Sequence, residues 1–150
     1  MKTDHTGGPT PAADASGHTH GSPQRAAHEV AAPLLTVDLA AEVVLLHAEE
    51  NWQRRQHNAR TLFKRPDLRV VLIALGQGRR MDAHHAPGAI TIHTLDGRLR
   101  LHVGAHTVDL AAGHMLALEP DASHDVEAME ESAFLLTIAW PTRLRAEETP

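Results

Sequence analysis

Residues 89–103 read AITIHTLDGRLRLHV, and this stretch decides the fold class. Ala89 to Leu95 is largely apolar and β-branched, as a strand requires. Asp96-Gly97 follows, a dipeptide suited to a tight hairpin because its turn needs positive φ. From Arg98 to Val103 polar and apolar residues alternate strictly, the period of a strand with one buried face. Leu99, Leu101 and Val103 are therefore expected inside. Arg98, Arg100 and His102 are expected on a solvated face.

Outward from this hairpin the same grammar repeats. Leu68 to Leu75 is a continuous aliphatic run broken by one Arg, closed by Gly76-Gln77-Gly78. Thr107–Leu110, His114–Leu118, Ser123–Ala128 and Ser132–Trp140 read as further short strands. Gly104-Ala105, Ala111-Ala112-Gly113 and Glu119-Pro120-Asp121 separate them. At least seven short strands with turn residues between them define an all-β sandwich or barrel. Upstream, Val37 to Gln53 has helical spacing, with Asp38 placed as N-cap and Glu42 in the first turn. Asn58 to Phe63 leads from the helix into Lys64-Arg65-Pro66-Asp67, a turn signal. Residues 1–32 are rich in Gly, Pro, Ala, Ser, Thr and His without hydrophobic period, and are expected to be a disordered tail. The chain thus divides into that tail, a helical lead over 33–57, a barrel over 58–141 and a flexible C-terminal tail over 142–150.

Composition narrows the function classes. Lys and Arg number 14 against 19 Asp and Glu, a net charge of −5, which argues against phosphate-driven nucleic-acid binding. With no Cys there can be no disulfide, thiolate ligand or thiol nucleophile. No apolar run reaches the length of a membrane span, and no secretory signal is evident, so a cytoplasmic protein is expected. No G-x-S-x-G elbow, phosphate-binding loop or H-E-x-x-H helix appears. Histidine is the unusual residue, with 13 copies. His5, His18, His20 and His28 lie in the tail, His47 and His57 flank the polar end of the helix, and His106 and His114 sit at turns.

The remaining histidines fall into a pattern. Gly78 is followed by five residues and His84, and Gly97 closes the segment. Gly113 is followed eleven positions later by His124, and 15 residues separate Gly97 from Gly113. This double spacing, over about Leu68 to Trp140, resembles the two motifs of the small single-domain cupins. The resemblance implies a jelly-roll-like β-barrel preceded by a helix and a tail. It also implies a divalent transition metal (Fe, Zn, Ni, Cu or Mn) at the barrel mouth. Two family ligands carry over by position, His84 and His124. Ala86 stands where the second motif histidine belongs, and Ile90 where the family has Glu.

A third ligand would have to come from elsewhere. The segment His84-His85-Ala86-Pro87-Gly88 through His93 resembles small cupins with His-x-x-Pro-Gly and a polar residue further along the strand. On that resemblance His84, His93 and His124 are the expected metal ligands, with His85 as alternative. Three neutral imidazoles suit such metals and leave positions for water or substrate. Strand alternation opposes the set: if Ile90 faces inward, His93 faces outward unless a bulge intervenes. Two functions follow. One is a metal-binding cupin acting on a small molecule, with dioxygenase-like chemistry among the activities the resemblance implies. The other is a non-catalytic ligand-binding or sensor cupin without a complete metal site. Homodimerisation is also expected, with the apolar strand Leu68–Leu75 as the surface.

Overall fold

A computed structural model describes residues 33–141, and the two expected tails, with His5, His18, His20 and His28, lie outside the described residues. Two helices precede nine strands: α1 (Leu39–Ala48), α2 (Glu50–Arg55), β1 (His57–Lys64), β2 (Leu68–Leu75), β3 (Arg80–His84), β4 (Ala89–Asp96), β5 (Arg98–Val103), β6 (His106–Ala111), β7 (Met115–Leu118), β8 (His124–Ala128) and β9 (Ser132–Ala139). They form a five-stranded sheet, β1-β2-β9-β4-β7, and a four-stranded sheet, β3-β8-β5-β6. Every strand pair is antiparallel. The all-β reading holds, and so does the inward alternation of β5: Leu99 and Leu101 are fully buried.

The two sheets enclose an aliphatic core. Ile73, Leu75, Ile92, Leu101, Val126 and Phe134 are among its buried members. With few aromatics available, close packing falls to branched aliphatic side chains. The hairpin between β4 and β5 turns at Gly97, where φ is +76. A Cβ there would lie 2.3 Å from the Glu131 carbonyl oxygen, so both conformation and space demand glycine.

A second cluster lies on the outside of the five-stranded sheet. Leu46 of α1 packs on Leu62, Leu72 and Ala74. Strand β2 therefore has two covered faces: Ile73 and Leu75 point into the barrel, Leu72 and Ala74 under the helix. This explains its unbroken apolar run. It also corrects the expected dimer surface, because Leu72 to Leu75 are buried and β2 is flanked by β1 and β9.

Helix α1 begins as expected. The Asp38 side chain accepts a bond from the Ala41 amide at 3.1 Å. The helix ends earlier than its periodicity implies, because Glu49 adopts an extended conformation and separates α1 from α2. The broken end is held by β1. Asn58 donates to the Leu46 carbonyl at 3.0 Å and to Glu49 at 2.8 Å. Buried Arg60 pairs with Glu42 and Glu49. Two strands escaped the sequence reading for related reasons. The buried face of β1 carries Asn58, Arg60 and Leu62, so polar residues mask its alternation. Strand β3 carries a bulge that breaks its period.

Candidate functional site

Strand β8 alternates regularly. His124, Val126 and Ala128 are all buried on its inner face, and His124 is 2% exposed. Its neighbour β3 does not alternate. Met81 pairs with Val126 and His84 pairs with His124, so three steps along β3 match two along β8. The extra residue in 82–83 is a β-bulge, and it returns His84 to the same face as Met81. The two rings consequently meet, with centroids 4.3 Å apart and planes at 58°. Val103 of β5 lies opposite His124 on its other side.

Backbone carbonyls fix both tautomers. His84 Nδ1 lies 2.8 Å from the Asp82 carbonyl oxygen, and His124 Nδ1 lies 3.0 Å from that of Ala122. A carbonyl can only accept, so each Nδ1 carries the proton and each Nε2 keeps its lone pair in the neutral ring. Burial lowers the pKa of His124 below its ordinary 6.5, helped by nearby His84 and opposed by the Ala122 hydrogen bond and Asp125. Two charged imidazoles this close would repel by roughly 4 kcal/mol at an effective dielectric of about 20. Charging both rings at once is therefore disfavoured. The neutral pair presents two Nε2 acceptors beside an apolar interior.

The other expected ligands do not join this pair. In β4, Ile90, Ile92 and Thr94 are buried inward, and alternation turns His93 to the outer face, where it pairs with Leu135 and Met115. A bulge does occur in β4, but only between Thr94 and Asp96, too late to reorient His93. His85 follows β3 and is exposed. Ala86 packs against the core where the family has histidine, and its carbonyl accepts from the Asp121 amide at 2.8 Å. Among the described residues no group of three or more His, Asp or Glu could hold a metal ion. The donor chemistry fits a transition metal, since neutral imidazole with Nδ1–H on a carbonyl is a common ligand arrangement. The donor number falls short, because catalytic sites ordinarily draw three protein ligands.

Asp125 is no partner of His124. It lies on the opposite face of β8, where its carboxylate meets His102 Nδ1 at 2.7 Å and Arg80 at 2.9 Å. Burial works to raise its pKa, but the His102 and Arg80 hydrogen bonds outweigh it and the net shift is downward. Sequence reading had His102 simply solvated. Alternation could place it on the outer face but could not pair it with a residue 23 positions away.

Two antiparallel sheets closing on an aliphatic core, with a motif histidine from each of two paired strands at one end, define a small cupin barrel. The chain belongs to the family of AraC-like ligand binding domains, which it matches over residues 69–147. Its fold is shared with a conserved protein of unknown function from Streptococcus pyogenes, at 24% identity over 72% of this chain and 89% of that one, with a TM-score of 0.60. A cupin 2 conserved barrel domain protein from Leptotrichia buccalis is 27% identical over 66% of this chain and 45% of that one, with a TM-score of 0.57. Salicylate 1,2-dioxygenase from Pseudoaminobacter salicylatoxidans is 13% identical over 69% of this chain and 32% of that one, with a TM-score of 0.62. No curated protein matches the sequence. Among the described residues no helix is long and apolar enough to cross a membrane.

Proposed function

We propose that this chain is a ligand-binding cupin in which His84 and His124 anchor a small molecule at the barrel mouth. The observation that carries this reading is the fixed tautomer of both rings. Two neutral Nε2 atoms beside an apolar interior select a ligand that donates hydrogen bonds, so a hydroxyl-bearing molecule with an apolar body is the class it fits. Membership among AraC-like ligand binding domains supports small-molecule binding. The lack of a third donor among the described residues favours recognition over metal-assisted catalysis. A cytoplasmic setting, where soluble metabolites are met directly, belongs to the same reading.

A second reading has one observation in its favour. The Nδ1–H to carbonyl bonds that fix the acceptors would equally orient metal ligands. A divalent metal (Fe, Zn, Ni, Cu or Mn) held by His84 and His124 would supply Lewis acidity, and the dioxygenase among the fold relatives gives that chemistry a precedent. One experiment separates the two. Metal content of the untagged protein is measured by elemental analysis, beside thermal-shift screening of polyols and phenols with and without chelator. Ligand-dependent stabilisation that survives chelation, and weakens about tenfold in His124→Ala, is the expected result. One transition metal per chain, lost in His124→Ala, would replace the first reading by the second.

A further inference from the structure

The barrel end that carries the histidine pair also carries a cluster of cations that the pair does not use. Strand β1 ends at Lys64, β2 starts at Leu68, β4 starts at Ala89 and β9 ends at Ala139. Leu68 and Ala89 both pair with Ala139, so these termini lie together. Gly88, in the loop after His84, touches them: a Cβ there would lie 1.9 Å from the Ala139 carbonyl oxygen. At this end a cleft of about 470 Å³ is lined by Lys64, Arg65, Pro66, Arg69 and Trp140. That volume suits a small ligand.

Parity shows which way the key residues face. Arg69 is in step with Val71, Ile73 and Leu75, which pack in the barrel core. Its cross-strand partner is Ile138, which packs against the same core. The Arg69 guanidinium sits over the Trp140 ring, 5.3 Å from the centroid. Stacking of this kind holds a guanidinium in place without neutralising it. The surrounding turn is pinned, with the Arg65 amide donating to the Leu68 carbonyl at 2.7 Å and the Trp140 amide to that of Asp67 at 2.9 Å.

The cations of the cluster are not paired within it. Among the described residues, Lys64, Arg65 and Arg69 make no ion pair, although Asp67 lies in the same turn. Elsewhere in the structure Arg54, Arg60, Arg80 and Arg100 are paired, while Arg55, Arg79 and Arg98 form no ion pair among the described residues but are not gathered on one cleft. Arg69 Nε is buried and has no hydrogen-bond partner among the described residues. A buried guanidinium donor without an acceptor costs free energy, and a bound anion would recover it. Three unpaired cations gathered on one cleft, in a chain of net charge −5, are also the arrangement that draws an anion from solution.

We infer that the Lys64–Arg65–Arg69–Trp140 cleft binds the oxyanion group of a small molecule, carboxylate or phosphate, with Arg69 as the principal contact and the Trp140 ring as its support. This site is independent of the acceptor role given to the histidines.

Trp140 is itself the reporter. In a Trp52→Phe background it is the sole tryptophan of the full chain. Its emission is titrated with sodium phosphate and, separately, sodium citrate, with sodium chloride holding ionic strength constant. A saturable change with either oxyanion is expected, and the stronger of the two identifies the source of the charge. Arg69→Gln should weaken that affinity about tenfold or more. Arg65→Gln, an exposed position that does not threaten folding, should weaken it by a smaller factor, and Arg79→Gln, at the opposite end, should not change it. Emission that follows ionic strength alone, or saturable binding undiminished in both Arg69→Gln and Arg65→Gln, would overturn the inference.

Discussion

At the scale of single residues, the site turns on which nitrogen of each imidazole holds the proton. Nitrogen-resolved NMR of the histidine rings should find His84 and His124 in the Nδ1–H tautomer at pH 7.5, and an Nε2–H form at either would remove the acceptor pair. Titration of His124 should give a pKa below 6.5, with burial as the leading cause. The charge of His84 contributes to that lowering, so His84→Ala should move the His124 midpoint upward; an unchanged midpoint would mean the rings do not sense each other. His93→Ala should leave ligand binding and metal content as in the parent protein, because the outer face of β4 separates it from the pair. Loss of either in that variant would bring His93 back as a ligand.

At the scale of elements, the attachment of α1 to the barrel depends on a polar clamp as much as on Leu46. Removing one partner of a buried pair strands the other, so Arg60→Ala should cost about 3–5 kcal/mol in urea unfolding. A loss below about 1 kcal/mol would show the pair to behave as a solvated surface contact. Leu46→Ala should cost about 2–5 kcal/mol by leaving a cavity over Leu72. The clamp also marks where sequence reading stops. Strands β2, β4 and β5 were legible because their apolar residues follow the period that burial imposes. Strand β1 was not, since Asn58 and Arg60 look solvated until Glu42 and Glu49 of the helical segment are set beside them. Spacing alone found His84 and His124. It could not assemble the basic cleft, whose Lys64-Arg65-Pro66-Asp67 segment reads only as a turn and whose Trp140 lies some seventy residues further on.

At the scale of the whole molecule, the neutral buried histidine ties stability to pH. The unfolded chain takes up a proton at His124 near 6.5, and the folded chain resists it until lower pH. Between those values the unfolded state binds more protons, so stability is fullest above 6.5 and declines as pH falls through the lowered value. Thermal melts from pH 8 to pH 5 should show this decline, and it should be smaller in His124→Leu; an equal decline in the two proteins would place its cause in another group. The topology also sets the folding rate. Strand β2 must find β9, some sixty residues away, before the five-stranded sheet exists. Barrels built on such distant pairings fold on a scale of roughly milliseconds to seconds, and stopped-flow refolding should fall in that range.

The bulge in β3 gives the barrel mouth a discrete, two-valued character. A strand has only two sides, so His84 can be presented or hidden and has no intermediate setting. Deleting Ala83 alone would place the histidine two positions after Met81, remove the bulge, keep the imidazole on the inner face opposite His124, and leave the neighbouring strands their present register. One codon thus separates a bulged strand from a regular one, with the two imidazoles converging in both. The bulge therefore lets the segment before the histidine carry one residue more than a regular strand would, without turning the ring away from its partner.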